Sequence, residues 1–210
     1  MHTKQFITAG VPLEKAKKVL IMVHGRGAGA DDIITLSEHL NVSDFTLLAP
    51  QATNHTWYPY SFMADPANNE PWLSSALSLL KEIKEDLNKK SIKTKDIYFL
   101  GFSQGACLTL EFVTRNAERY GGVVAFTGGL IGNKLEASNY KGDFAGTPFF
   151  IGSSNPDPHV PVDRVNTSAA LIEAMNGIVT KKIYSNMGHT ISQDEIDTVN
   201  GIIFNAANNE

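Results

Sequence analysis

The 210-residue chain predicts an α/β fold: a mostly parallel central sheet with helices on both faces and no large cap domain. Three observations carry this. Short runs are almost wholly apolar, the segments between them show helical spacing, and the two kinds alternate along the chain. Runs rich in Val, Ile, Leu and Phe at residues 19–23, 45–49, 97–100, 123–126 and 149–151 read as strands, and 179–184 as a later strand with more alternation. Near-continuous apolar runs are what parallel strands covered on both faces require, whereas sheets with one wet face alternate.

Helices are expected over residues 31–40, 71–88, 104–116, 163–175 and 192–205. In the second, Leu73, Leu77, Leu80, Ile83 and Leu87 recur every three or four positions with Lys and Glu between them, the pattern of an amphipathic helix lying on a sheet. Pro71 suits a first turn, where a missing N–H costs nothing. Asp163, shortly after Pro161, is the expected cap of its helix. Strand and helix alternating in this way make a doubly wound domain.

Composition narrows the function classes. With 42% hydrophobic and 19% charged residues, residues 1–210 fit one compact domain with a substantial core. A net charge of −4 and a pI near 5.9 give no basic face for nucleic acid. Cys107 is the only cysteine, so neither an intramolecular disulfide nor a cysteine metal site can be assembled. That usage, a polar N-terminus without a secretory apolar stretch, and no run of 18 apolar residues lead us to expect a cytoplasmic protein with no transmembrane segment.

Two stretches, residues 51–70 and 127–147, are longer than ordinary connections, and long ordered loops are often functional. The first gathers Trp57, Tyr58, Tyr60, Phe62 and Met63. These form either the apolar wall of a pocket or a satellite core beneath the loop. On the first reading Trp57, Tyr58, Phe62 and Met63 contact substrate.

After the strand at 97–100 comes Gly101-Phe102-Ser103-Gln104-Gly105, followed at once by a helical segment. Alone, G-x-S-x-G is a weak pattern. Between a strand and a helix it describes a tight elbow with a strained serine, whose flanking glycines are required because a side chain there would strike backbone. The helix start turns its unpaired N–H groups and positive dipole end towards Ser103.

A serine hydroxyl needs a base, and histidine has the suitable pKa. His2 is terminal, His39 lies on a helical segment and His55 in the aromatic loop. His189 follows the last expected strand. In the chain order of such elbows an acid falls between serine and histidine, which admits Asp143, Asp157 and Asp163. Asp157 is favoured, since it comes just after the strand at 149–151. It would orient the imidazole and stabilise its charged form. Backbone N–H groups of Gln104 and Arg26 are the expected oxyanion donors, Arg26 lying in the glycine-rich loop His24-Gly25-Arg26-Gly27-Ala28. His24 is expected to brace that loop by hydrogen bonding, Cys107 to be an inert core residue, and Phe102 and His159 to contact substrate, His159 from the site's rim.

Taken together, Val23-His24-Gly25-Arg26-Gly27-Ala28, Gly101-Phe102-Ser103-Gln104-Gly105, Asp157-Pro158-His159-Val160-Pro161 and Gly188-His189 resemble the phospholipase/carboxylesterase family of the α/β-hydrolases. Its members include acyl-protein thioesterases. The resemblance spans nearly the whole chain and implies an α/β-hydrolase fold with a Ser103–Asp157–His189 triad, Arg26 and Gln104 as oxyanion donors, and no metal or organic cofactor. The implied substrate is a small ester or thioester, cleaved through an acyl-serine. Lysophospholipase action on longer chains, and a hydrolase-fold receptor with little turnover, are the alternatives. A homodimer is compatible with these features. Where this chain has Arg26 many relatives carry leucine, and a guanidinium at the mouth would favour acyl groups with an acidic tail.

Overall fold

A computed structural model describes residues 1–205. Seven strands form one sheet: β1 (Phe6–Gly10), β2 (Val19–Val23), β3 (Thr46–Pro50), β4 (Ile97–Phe102), β5 (Gly122–Phe126), β6 (Pro148–Asn155) and β7 (Ile178–Ser185). Their order is β1-β3-β2-β4-β5-β6-β7. β1 runs antiparallel to β3, and every other pairing is parallel.

Sequence reasoning recovered the six parallel strands and missed β1. That strand, Phe-Ile-Thr-Ala-Gly, is exposed at every position, so it presents no apolar run to detect. By contrast β2, β3 and β5 are buried throughout. β6 continues further than expected, through Gly152–Asn155, and so delivers the chain directly to Asp157.

The helices are α1 (Ala30–Ile33), α2 (Trp72–Lys89), α3 (Gln104–Arg115), α4 (Val162–Ala174) and α5 (Gln193–Ile202). Alternate residues of β2 separate two cores. Val19, Ile21 and Val23 face α2, α3 and α4, while Leu20 and Met22 face α1 and α5. Helices therefore cover both faces, and among the described residues none forms a cap domain or is long and apolar enough to cross a membrane.

Two local expectations fail. Residues 31–40 are not one α-helix: after α1 the chain tightens into a 3₁₀ segment, Ile34–His39. There the Thr35 and Ser37 hydroxyls donate to the carbonyls of Asp32 and Ile34, competing with the regular ladder beside a β-branched run. Nor does Asp163 cap α4. Pro161 holds the N-cap position, and Asp163 lies inside the first turn. A full capping box appears instead at α5, where the Ser192 side chain accepts the Glu195 N–H and the Glu195 carboxylate accepts the Ser192 N–H.

Candidate active site

Ser103 occupies the turn between β4 and α3, with φ 54° and ψ −119°. Such backbone is unfavourable for a residue with a side chain and persists only where its surroundings fix it. Here the Ser103 N–H donates to Phe126 O and Ser103 O accepts the Cys107 N–H, each at 3.0 Å. A Cβ at Gly101 would strike the Gly105 carbonyl, and one at Gly105 the Val23 carbonyl, so both flanking positions admit glycine alone. The elbow thus closes as the spacing predicted.

The strand ends bring the other two groups to this point. The Ser154 hydroxyl, at the end of β6, donates to Pro156 O and accepts the Gly188 N–H, tying the two loops together at 3.0 Å each. The Ser103 hydroxyl then lies 2.8 Å from His189 Nε2, and His189 Nδ1 lies 2.9 Å from Asp157 Oδ2. The network sets the tautomer: Nδ1–H donates to the carboxylate, leaving Nε2 to accept from the serine.

Asp157 is fully buried at its side chain. Its Oδ1 accepts the N–H groups of His159 and Val160, both at 2.8 Å. Burial would raise its pKa, but the His159 amide, the His189 side chain and the Val160 amide outweigh that and hold the carboxyl below its ordinary range. The imidazole is also held from two sides, its ring 5.3 Å from that of Phe102 and 5.0 Å edge-on from that of His159.

Arg26 and Gln104 line the same cavity as Ser103, and among the described residues neither backbone N–H has a protein acceptor. Two preorganised N–H groups beside a nucleophile can stabilise a developing oxyanion. Their side chains have a second task that no motif marks. Gln104 reaches back to the aromatic loop, its Oε1 accepting the Trp57 N–H at 2.9 Å and its Nε2 donating to Tyr58 O at 2.8 Å. Arg26 forks onto the next two carbonyls, Pro59 O at 2.8 Å and Tyr60 O at 2.7 Å.

His24 braces the glycine loop as expected: Nδ1 donates to Gly25 O at 2.7 Å and Nε2 accepts the Ala52 N–H at 3.1 Å. Burial lowers its pKa and so favours the neutral ring that this bonding needs. His2, set aside as terminal, takes the Thr53 N–H on Nδ1 at 3.1 Å and meets Trp57 O through Nε2 at 2.9 Å.

The cavity measures about 580 Å³. Tyr58, Phe62, Phe102 and His159 line it; Trp57 and Met63 do not. Trp57 is wholly buried between the rings of His2 and His24 and donates its indole N–H to His24 O at 2.9 Å, so it pins the loop. Met63 packs against the core. The aromatic loop is therefore both things at once, a pocket wall through some side chains and a satellite core through others. Cys107 borders the cavity, but burial pushes its thiol up to about 12, and it stays protonated at neutral pH.

Over residues 5–204 the chain matches the family described as phospholipase/carboxylesterase. The crystal structure of a phospholipase/carboxylesterase from Dyadobacter fermentans is 54% identical, covers 97% of this chain and 98% of its own, and superposes with a TM-score of 0.96. Acyl-protein thioesterase 1 of Saccharomyces cerevisiae is 25% identical over 91% of this chain and 93% of its own. A Bacillus cereus carboxylesterase, 19% identical over 94% of this chain and 92% of its own, shares the fold at a TM-score of 0.77. The fold is the α/β-hydrolase fold, and the described residues form no cap.

Proposed function

The chain belongs to the phospholipase/carboxylesterase family, and on that premise we propose that residues 1–210 act as one catalytic domain, a serine hydrolase of carboxylic esters or thioesters. The observation that carries this reading is the unbroken relay from Ser103 Oγ through His189 to the buried Asp157 carboxylate. Ser103 Oγ attacks the substrate carbonyl while His189 Nε2 takes its proton. The negative charge developing on the carbonyl oxygen is met by the Arg26 and Gln104 N–H groups, and Asp157 stabilises the imidazolium. His189 then gives the proton to the leaving alcohol or thiol, and an acyl-serine remains. Water, deprotonated by the same imidazole, attacks the acyl-serine, and the imidazolium returns that proton to Ser103 Oγ as the acid leaves.

Thioesters are included because the similar yeast protein is named a thioesterase. The test is labelling with a fluorophosphonate alongside a panel of p-nitrophenyl esters from acetate to palmitate and acyl-CoA thioesters. The wild-type protein is expected to take the label on Ser103 and hydrolyse part of the panel. Ser103→Ala is expected to lose the label and about four orders of magnitude of turnover. Flat activity across the panel, unchanged by Ser103→Ala, overturns the reading.

A further inference from the structure

Residues 1–5 lie as a strap between α2 and the loop that begins at residue 51. On the α2 side the His2 N–H donates to the Ser75 hydroxyl at 2.9 Å, and the Lys4 ammonium reaches the carboxylates of Glu82 and Asp86. On the loop side the Gln51 N–H donates to Gln5 O at 2.9 Å and the Thr53 hydroxyl to Met1 O at 3.3 Å. Between these ties the His2 ring enters the loop, its centre 5.3 Å from the ring of Trp57 and 5.3 Å from that of Trp72.

The two ring nitrogens have fixed tasks. Trp57 O can only accept, so Nε2 carries the proton and Nδ1 is left to accept the Thr53 N–H. A protonated ring would have no lone pair for Thr53. Burial lowers the His2 pKa and so favours the neutral ring. His24 repeats the arrangement beside Trp57, where its Nε2 accepts the N–H of the adjoining residue, Ala52. Both proposed oxyanion donors hang on the segment so held. The Gln104 side chain is tied to Trp57 N–H and Tyr58 O, the Arg26 fork to Pro59 O and Tyr60 O, and the Gly27 N–H, next to Arg26, donates to His55 O at 2.7 Å.

We propose that His2, which does not line the cavity, is a positioning residue for the oxyanion hole: by fixing residues 53 and 57 it fixes the frame on which the Arg26 and Gln104 N–H groups are set. This inference rests on the serine-hydrolase reading above and extends its machinery to the strap. Charge on the oxyanion develops only towards the transition state, so loss of the anchor acts on kcat and leaves KM nearly unchanged.

The test uses two variants. His2→Phe keeps a ring against the two tryptophans but can bond neither Thr53 nor Trp57, whereas His2→Asn restores an acceptor in place of Nδ1. Ser103 is titrated with a fluorophosphonate, so that turnover of a p-nitrophenyl ester is expressed per reactive serine, and amide exchange is followed at Thr53 and Trp57. His2→Phe is expected to lower kcat per reactive serine by about tenfold with KM within about twofold, and to speed exchange at both amides by about tenfold. His2→Asn is expected to return kcat to within about threefold of wild type. An unchanged kcat per reactive serine in His2→Phe overturns the proposal, even if fewer serines react, because that outcome marks a residue serving stability alone. A fall that His2→Asn does not recover overturns it too. If Ser103 of the wild-type protein takes no label, the serine-hydrolase reading fails instead, and the exchange rates alone decide whether His2 holds the loop.

Discussion

The two long loops look alike in sequence and are held in opposite ways. Residues 51–70 are tied by groups that belong to the site itself: the Gln104 side chain, the Arg26 fork and the His24 ring. Residues 127–147 are tied by buried charges beneath them. Glu111, wholly buried on α3, pairs with Arg115 at 2.6 Å and accepts the Ile131 N–H at 2.9 Å and the Tyr140 hydroxyl at 3.0 Å. Arg164 on α4 donates to Leu130 O at 2.8 Å and Gly132 O at 2.6 Å. No residue of this second loop lines the cavity, whereas Tyr58, Tyr60 and Phe62 of the first do. One loop is part of the proposed catalytic geometry and the other is part of the scaffold. Disturbing the first should change rates, and disturbing the second should change stability.

The largest expected effect is on the scaffold loop. Glu111→Ala leaves two buried donors unpaired, at about 1–3 kcal/mol each. Chemical denaturation is expected to show a loss of about 2–5 kcal/mol, with kcat/KM of the folded protein within about threefold of wild type at low temperature. A large loss of kcat/KM at full foldedness would erase the distinction between the loops.

Gln104→Ala, on α3, is the counterpart for the loop at residues 51–70. It keeps the proposed oxyanion N–H but frees the buried Trp57 N–H and leaves Tyr58 O with the Thr56 hydroxyl as its one donor among the described residues. Misplacement of a site wall by a fraction of an ångström is costly, and kcat/KM is expected to fall by about a hundredfold, beyond what any loss of folded protein explains. Arg26→Leu should act in the same direction and less strongly, lowering kcat by about tenfold because its backbone donor loses the anchor on Pro59 and Tyr60. Both terminal nitrogens of Arg26 already serve carbonyls, so neutral and carboxylate-bearing esters are expected to lose equally. A selective loss for carboxylate-bearing esters would restore the idea of an acidic-tail preference.

The smallest effect concerns Glu195, buried under the end of β6 with Oε1 unpartnered. Burial raises its pKa. The folded state therefore holds a proton that the unfolded state gives up, and stability falls as pH rises from the ordinary glutamate range through the raised folded value. Glu195→Gln, which mimics the protonated side chain, is expected to flatten that slope when Tm is followed from pH 4 to pH 8. A slope identical to wild type would show that Glu195 does not carry it.

Legibility in the sequence tracked physical redundancy. β2 to β6 announce themselves because burial on both faces admits little but apolar residues, while β1, an exposed antiparallel edge, is constrained by nothing but its pairing. The positions of Ser103, Asp157 and His189 were readable because elbow, strand end and chain order are each tied to local pattern. The tasks of the Gln104 and Arg26 side chains were not, since reaching a carbonyl some 30 to 50 positions away leaves no periodic mark. Trp57 and Met63 went astray for a related reason: apolar side chains in a loop carry no sign of which ones meet the cavity and which meet the core.

The most direct test of the account is to trap the intermediate. The protein is mixed with p-nitrophenyl butanoate, quenched in acid within the first turnovers, digested and weighed by mass spectrometry. A butanoyl group is expected on the peptide that contains Ser103, on Ser103 itself, and none in Ser103→Ala. Turnover with no acyl adduct, or an adduct on another residue such as Cys107, would contradict it.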